Sequence, residues 1–353
     1  MQVGVNYPWR DYGWDFGLAP PTWRAEPAEP TWHAEIDADL QHLRSLGISV
    51  VRWFILADGL TYGQGPAAPQ PDAMSGDLWH FDPPPLSAEC QRHFEELLRR
   101  FAAANALGLP PIQLLPVLID FHFCSPGIRP LAMRDPLDAA AVIPDPDWVK
   151  QGRADAINDP AKRQLFLDFA LEPLLRISTD WREVIYAWEL INEPEWITNG
   201  WHPDQRLTHP VPEAPMRAFL EEGKERIRRA GFKPTIGFAM LDTIRRTGIT
   251  AEINQFHHYP GGGRQLEPHP FDERFPGILG EFATAGTDIW PELIGRDQSV
   301  LNRLRRAAVQ GYPLAMPWSF GATDRHTSWT AAVETDLRTF AQLEGAAGPG
   351  NGV

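Results

Sequence analysis

At 353 residues the chain is long enough for two domains of about 150 residues or for one large domain. With 43% hydrophobic and 22% charged residues it has a globular composition, and its 29 Gly and 35 Pro stay below the roughly 25–30% of low-complexity chains. The net charge of −14 excludes nucleic acid and anionic membrane as main partners, because both demand a basic footprint.

The chain opens on Met-Gln-Val-Gly-Val, without the basic and apolar segments of a signal peptide, and no apolar run nears the 18 or so residues of a membrane span. A soluble, cytoplasmic protein is expected unless a leader has been removed. The first strand is predicted at Val3–Tyr7, followed by a long Trp- and Pro-rich link over 8–34 and a helical stripe of Ile36, Leu40 and Leu43. A second strand, Val50–Ile55, leads into another long link over 57–88. Cys90, Phe94, Leu97, Leu98 and Phe101 then mark a helix, with Gly108 as its C′ residue. The third strand is expected at Gln113–His122, with a Pro-rich link over 123–159 after it. Asp159-Pro160 reads as an N-cap with Pro at N1, opening a helix through Leu165, Phe166 and Phe169. A fourth strand, Val184–Asn192, is followed by a link over 194–215 and a stripe of Met216, Leu220, Gly223 and Ile227. Strands at Pro234–Gly237, Ile253–Tyr259 and Gly277–Phe282 come next. A stripe of Leu301, Leu304 and Ala308 precedes the last strand, Pro313–Ser319, and residues 345–353 read as a flexible tail. Cys90 and Cys124 are too few for a disulfide framework or a four-cysteine zinc site, and two free thiols is the reading they favour.

Eight β-branched runs that alternate with helical stripes imply an α/β fold with a parallel sheet. Doubly wound and closed-barrel arrangements both satisfy the alternation. No G-x-G-x-x-G follows the first strand, and Gly261-Gly262-Gly263 lacks the Lys-Ser/Thr of a phosphate loop, which argues against a nucleotide-binding sheet. The four long links all follow strands, whereas the links leading into strands are short. In a barrel the long ones gather at the C-terminal face, where such folds place their active sites. The chain holds 14 Trp against 6 Tyr. Trp9, Trp14, Trp196 and Trp201 fall in those links, either lidding local apolar clusters or offering platforms for sugar rings.

Two glutamates end strands in the same manner, Glu193 in Leu-Ile-Asn-Glu-Pro and Glu281 in Leu-Gly-Glu-Phe. A carboxylate at the end of a buried strand is costly unless paired or functional. Two of them across one cavity form the constellation of glycoside hydrolysis. Glu189 lies about 13 Å lower along its strand and is expected to partner an arginine in the barrel. Glu195 competes with Glu193 only if the strand ends later, and Asp120 shares a face with His122, either orienting it or filling an exposed or core place. His257-His258 lacks the His-x-His or His-Glu-x-x-His spacing of a metal site.

Asn192-Glu193-Pro194 on the fourth strand, with Glu281 on the seventh, resembles the clan A glycoside hydrolases, in particular their cellulase-like family 5. Arg52 in Val-Val-Arg-Trp-Phe, His122 in Asp-Phe-His, His257-His258-Tyr259 and Trp318 in Met-Pro-Trp-Ser stand at matching strands, so that the resemblance runs from Val3 to about Ser319. It implies a single (β/α)8 TIM barrel over 1–344, with long βα loops at the C-terminal face. It also implies a retaining β-glycosidase working by double displacement without metal or cofactor. Glu193 would be the acid/base and Glu281 the nucleophile. Asn192 would hold the substrate 2-hydroxyl, while Tyr259 and Arg52 keep Glu281 ionised. His122 and His257 would line the non-reducing subsite, with Trp318 as its floor and Trp196 as a further substrate contact. The long second and third loops suggest a pocket and an exo-acting enzyme on small or capped saccharides. An endo-β-glucanase, an endo-β-mannanase and a non-catalytic carbohydrate-binding barrel are the alternatives. The expected partner is carbohydrate, and oligomeric state is left open.

Overall fold

The computed structural model describes residues 1–10, 15–16, 32–59, 61–63, 67–71, 79–108, 110–124, 134–135, 138–142, 152–202, 210–271, 276–285, 288–321 and 326–346. Eight parallel strands close into a barrel: β1 (Gln2–Asn6), β2 (Ile48–Phe54), β3 (Gln113–Asp120), β4 (Trp188–Asn192), β5 (Pro234–Phe238), β6 (Ile253–His258), β7 (Gly277–Ala283) and β8 (Leu314–Trp318). Each strand pairs with its neighbours in sequence. The seam is closed by β1 against β8, with Gln2 opposite Leu314 and Val3 opposite Ala315. All eight predicted runs become barrel strands, so the closed solution wins over the doubly wound one.

Helices α1 (Trp32–Ser45), α2 (Ala88–Asn105), α3 (Pro160–Phe166), α4 (Glu172–Ser178), α5 (Glu213–Arg229), α6 (Leu241–Thr247), α7 (Val300–Val309) and α8 (Ala331–Ala346) surround the barrel. Their stripes bury as expected: Cys90, Phe94, Leu97, Leu98 and Phe101 on α2, and Met216, Leu220, Gly223 and Ile227 on α5. Asp159 caps α3 by accepting from the backbone N–H groups of Ala161 and Lys162. On α7 the buried face is Val300, Arg303, Leu304 and Ala307, one position back from the predicted stripe, with Leu301 and Ala308 at its margin. α8 runs to Ala346, and residues 347–353 lie outside the described residues. None of the described helices is long and apolar enough to cross a membrane. Cys90 and Cys124 are both buried and unbonded to each other.

Two apolar layers result. One lies between strands and helices. The other fills the floor of the barrel with Val50, Leu115, Val117, Ala187, Ile253, Ile278, Leu314 and Met316. Strands buried on both faces are what a parallel sheet requires. Each of the long links after β2 and β3 carries a two-stranded hairpin, Gln70–Pro71 with Trp79–His80 and Arg134–Asp135 with Asp138–Val142. Arg153 stitches these links together. Its Nε donates to the Tyr62 carbonyl at 3.1 Å and its Nη1 to the Asp58 carbonyl at 3.2 Å, with the guanidinium over the rings of Phe81 and Phe123.

Candidate active site

Above the apolar floor the barrel holds a buried polar layer centred on Arg52. β2 alternates sides, so Val50, Arg52 and Phe54 share the interior face. The guanidinium spends all five N–H donors on protein acceptors. Nε and Nη2 grip Glu189 at 2.7 and 2.6 Å, Nη1 donates to Asn6 at 2.9 Å and Glu281 at 2.6 Å, and Nη2 also donates to Asn192 Oδ1 at 2.7 Å. Gln255 Nε2 adds a donor to Glu189 at 2.9 Å. Glu189 is therefore the structural partner of an arginine, as expected.

Glu281 and Glu193 face one another over this layer. One ligand atom each from Glu193, His257 and Glu281 lie within 4.8 Å of one another. Glu281 accepts from Arg52 and from the Tyr259 hydroxyl at 2.9 Å. Glu193 accepts from Trp196 Nε1 at 2.7 Å, and its other oxygen meets His257 Nδ1 at the same distance, while that nitrogen is 3.5 Å from Glu281. Glu193 has φ 46° and ψ 54°, the left-handed region that a side chain enters at a cost of about 1–3 kcal/mol. Its N–H is fixed to the Gly237 carbonyl at 2.6 Å, which holds this turn at the strand end.

Burial pushes both carboxyls above the ordinary range, but the counterweights differ. Glu193 rises to about 7, through burial and then the charge of Asp120, against the Trp196 N–H, Arg52 and His122. Glu281 is also raised by burial, but His257, the Arg52 charge and the Tyr259 hydroxyl oppose the rise. With a guanidinium at 2.6 Å from Glu281 and only neutral donors touching Glu193, the pair's shared proton resides on Glu193. Burial drives His257 down to about 4, so the imidazole between them is neutral at pH 7.

The remaining predicted residues gather here as well. Asn192, the last residue of β4, donates from Nδ2 to Asp120 Oδ1 at 2.8 Å. The other oxygen of Asp120 bonds His122 Nδ1. β3 stops at Asp120, so His122 sits on a one-turn 3-10 helix, Phe121–Phe123, rather than at the strand end expected for it. Trp318 ends β8 beside Phe54 and Trp9, with ring centroids 6.4 Å away in each case. Trp9 thus joins Trp318 at the mouth. Trp201 instead is buried against Phe238 and serves the core, and Trp14 lies outside the described residues. Trp196 has His202 stacked on its ring at 4.2 Å while its N–H holds Glu193. Glu195 turns away from the mouth and accepts the backbone N–H groups of Ala239 and Met240 at 3.0 and 3.1 Å, in the turn just before α6.

Asn6 and Gln255 escape a motif-based reading as site residues, and Asp120 enters one only as a residue orienting His122. The signal was a polar residue at an inward position of an apolar strand: each is buried, and each bonds Arg52, Asn192 or Glu189. Glu193, His257 and Glu281 form the one group among the described residues spaced closely enough to hold a cation. The Arg52 charge against Glu281 opposes a second positive charge there.

No protein-family model matches the chain, and no curated protein matches it. Solved structures share its fold. The chain is similar to a β-mannanase from the blue mussel Mytilus edulis, with 16% identity and TM-score 0.63 over 98% of this chain and 91% of that one. It is similar to a β-1,4-D-mannanase from Cryptopygus antarcticus, with 16% identity and TM-score 0.63 over 97% and 90%. An exo-β-1,4-mannosidase from Opitutaceae bacterium strain TAV5 aligns at 16% identity and TM-score 0.55, over 98% of this chain and 60% of that one.

Proposed function

We propose that the chain is a retaining β-glycoside hydrolase of the cellulase-like kind. The observation that carries this reading is the pair Glu193 and Glu281, held within 4.8 Å across a neutral His257 with unequal charge partners. A near pair of about 5–5.5 Å suits a carboxylate attacking carbon directly, whereas inverting enzymes need about 6.5–9.5 Å to seat a water. In the first step Glu281 attacks the anomeric carbon while Glu193 protonates the departing glycosidic oxygen. In the second, Glu193 as carboxylate takes a proton from water, which displaces Glu281 and returns the hemiacetal with its original configuration. Glu193 is the more open of the two, with 15% of its side chain exposed against 6% for Glu281, as befits the group that must reach the leaving oxygen.

We favour exo action on small or capped saccharides, because the built-up links after β2 and β3 rise from the strands that deliver Arg52 and His122. Endo action is the second reading, favoured by the near end-to-end match in overall length with two proteins named mannanases rather than mannosidases. β-Mannosides are the first substrates to test, followed by β-glucosides and β-galactosides.

The two glutamates separate by chemistry. With a dinitrophenyl β-glycoside, Glu193→Ala should accumulate glycosyl-enzyme, and azide should relieve the block and give the β-glycosyl azide. Glu281→Ala should lose bond cleavage and, with azide attacking from the opposite face, give the α product. Reversed anomers would reverse the assignment. Full activity in either variant would end it. On oligosaccharides, release of single sugars from one end supports exo action, and mid-chain products support endo.

A further inference from the structure

Asp120 carries a charge in the mouth of the barrel, yet it is neither of the two reacting carboxylates. Only 9% of it is exposed, and each of its oxygens has one partner, Asn192 Nδ2 on one side and His122 Nδ1 on the other. The amide of Asn192 is held at both ends by groups that cannot exchange roles. Arg52 only donates, so it must face Oδ1, and an ionised Asp120 only accepts, so it must face Nδ2. A flipped amide would set donor against donor and acceptor against acceptor in a buried place, losing two charge-assisted bonds at once.

We propose that Asp120 is the positioning residue that fixes the orientation of the Asn192 amide, and through it the recognition of the substrate 2-hydroxyl. The inference rests on the glycosidase reading above, in which Asn192 meets that hydroxyl. Replacing the carboxylate with a carboxamide removes the constraint at Nδ2 and leaves Arg52 alone to hold the amide, because an amide can present either a donor or an acceptor to Asn192. The same carboxylate fixes His122 by its Nδ1, so one side chain ties the 2-hydroxyl contact to the third-strand wall. The groups around it are Arg52, Asn192, Glu193 and His122, together with Asp58 beyond His122.

The test is substrate deletion. Asp120→Asn and the parent enzyme are compared on an aryl β-glycoside and on its 2-deoxy counterpart, with melting temperature and near-ultraviolet dichroism as checks of folding. The expected result is a fall of roughly 10- to 100-fold in kcat/KM on the hydroxylated sugar, the worth of one bond to a charged group, and less than about threefold on the 2-deoxy sugar. An equal fall on both sugars would overturn the inference, because a general structural role does not know about the 2-hydroxyl. As a second measurement, the same change is made in an Asn192→Ala background, where no amide remains to orient. There it should lower kcat/KM on the hydroxylated sugar by less than about threefold, and a larger fall would also overturn the inference. Failure of the parent enzyme to hydrolyse any aryl β-glycoside would remove the glycosidase reading, a result distinct from either of these.

Discussion

At the scale of single residues, each of the two carboxyls has one neutral donor of its own that can be removed separately, beside Arg52 on Glu281 and His257 on Glu193. Tyr259 favours the charged form of Glu281 through its hydroxyl, and Trp196 favours the charged form of Glu193 through its indole N–H. In the proposed roles Glu281 must be ionised to attack, so its titration sets the acidic limb of kcat/KM. The acid must be protonated, so Glu193 at about 7 sets the basic limb. Tyr259→Phe should raise the pKa of Glu281 and move the acidic limb to higher pH, narrowing the bell. Trp196→Phe should raise that of Glu193 and move the basic limb to higher pH, widening it. A pH profile of each variant checks the pair, and a shift of the wrong limb in either would break the assignment of roles. Much of this site was legible. Glu193 and Glu281 are chemically odd at the ends of apolar strands, and the resemblance to the clan A glycoside hydrolases added Arg52, Tyr259 and Trp318 to the same rim. What spacing could not supply was the partner list. Asp120 and Gln255 act by touching Asn192 and Glu189 across the barrel, a relation fixed by register between strands rather than by any local pattern.

At the scale of elements, the strands were legible because two-sided burial leaves runs of apolar residues with little ambiguity, and the long links declared themselves by Pro and Gly. The ends were less so. The periodicity cannot see that β3 yields to a 3-10 turn at Phe121, or that the buried face of α7 centres on Arg303, since a charged residue in a helix reads as solvated. Glu195 shows the same limit. It looked like a spare catalyst, but it joins the turn after β4 to the start of α6. Burial pushes its carboxyl to about 8, although the backbone N–H groups of Ala239, Met240 and Glu195 itself pull the other way. A carboxyl whose folded pKa lies above its unfolded value of about 4.3 favours the folded state while protonated. Its contribution is full below the unfolded pKa and is lost as pH climbs through the folded one. The melting temperature should therefore decline between about pH 5 and 8. Glu193, with its own raised pKa, adds to the same decline. Glu195→Gln cannot ionise and should flatten the slope without removing it. An unchanged slope would show that Glu195 takes no part in it.

At the scale of the whole molecule, the floor of the active site and the core of the barrel are one structure. The Arg52–Glu189–Gln255 layer stops up the barrel from inside, and its upper surface holds Glu281 and Asn192 in place. Such a layer of long side chains needs room, and β5 supplies it with Gly237. A Cβ there would lie 2.2 Å from Glu189 Oε1 and 3.0 Å from both Arg52 Nη2 and Gln255 Nε2. The backbone of Gly237 is ordinary strand, so the glycine is required for the approach of its neighbours and not for its own conformation. Gly237→Ala should therefore displace Glu189, and with it Arg52, from a fully buried ion pair. That costs about 3 kcal/mol or more in stability, as overpacking adds to a disturbed pair. The same shift propagates along the guanidinium to Glu281 and Asn192, and a misplacement of about 1 Å at reacting groups can cost on the order of 100-fold in rate. Stability and kcat/KM should fall together in this variant, although the substituted atom touches neither Glu193 nor Glu281. Gly261→Ala, where an added methyl meets nothing within 4 Å, serves as the control and should leave stability unchanged. A Gly237→Ala variant that loses stability but keeps its rate would separate the two, and would mean that Arg52 holds the barrel without setting Glu281.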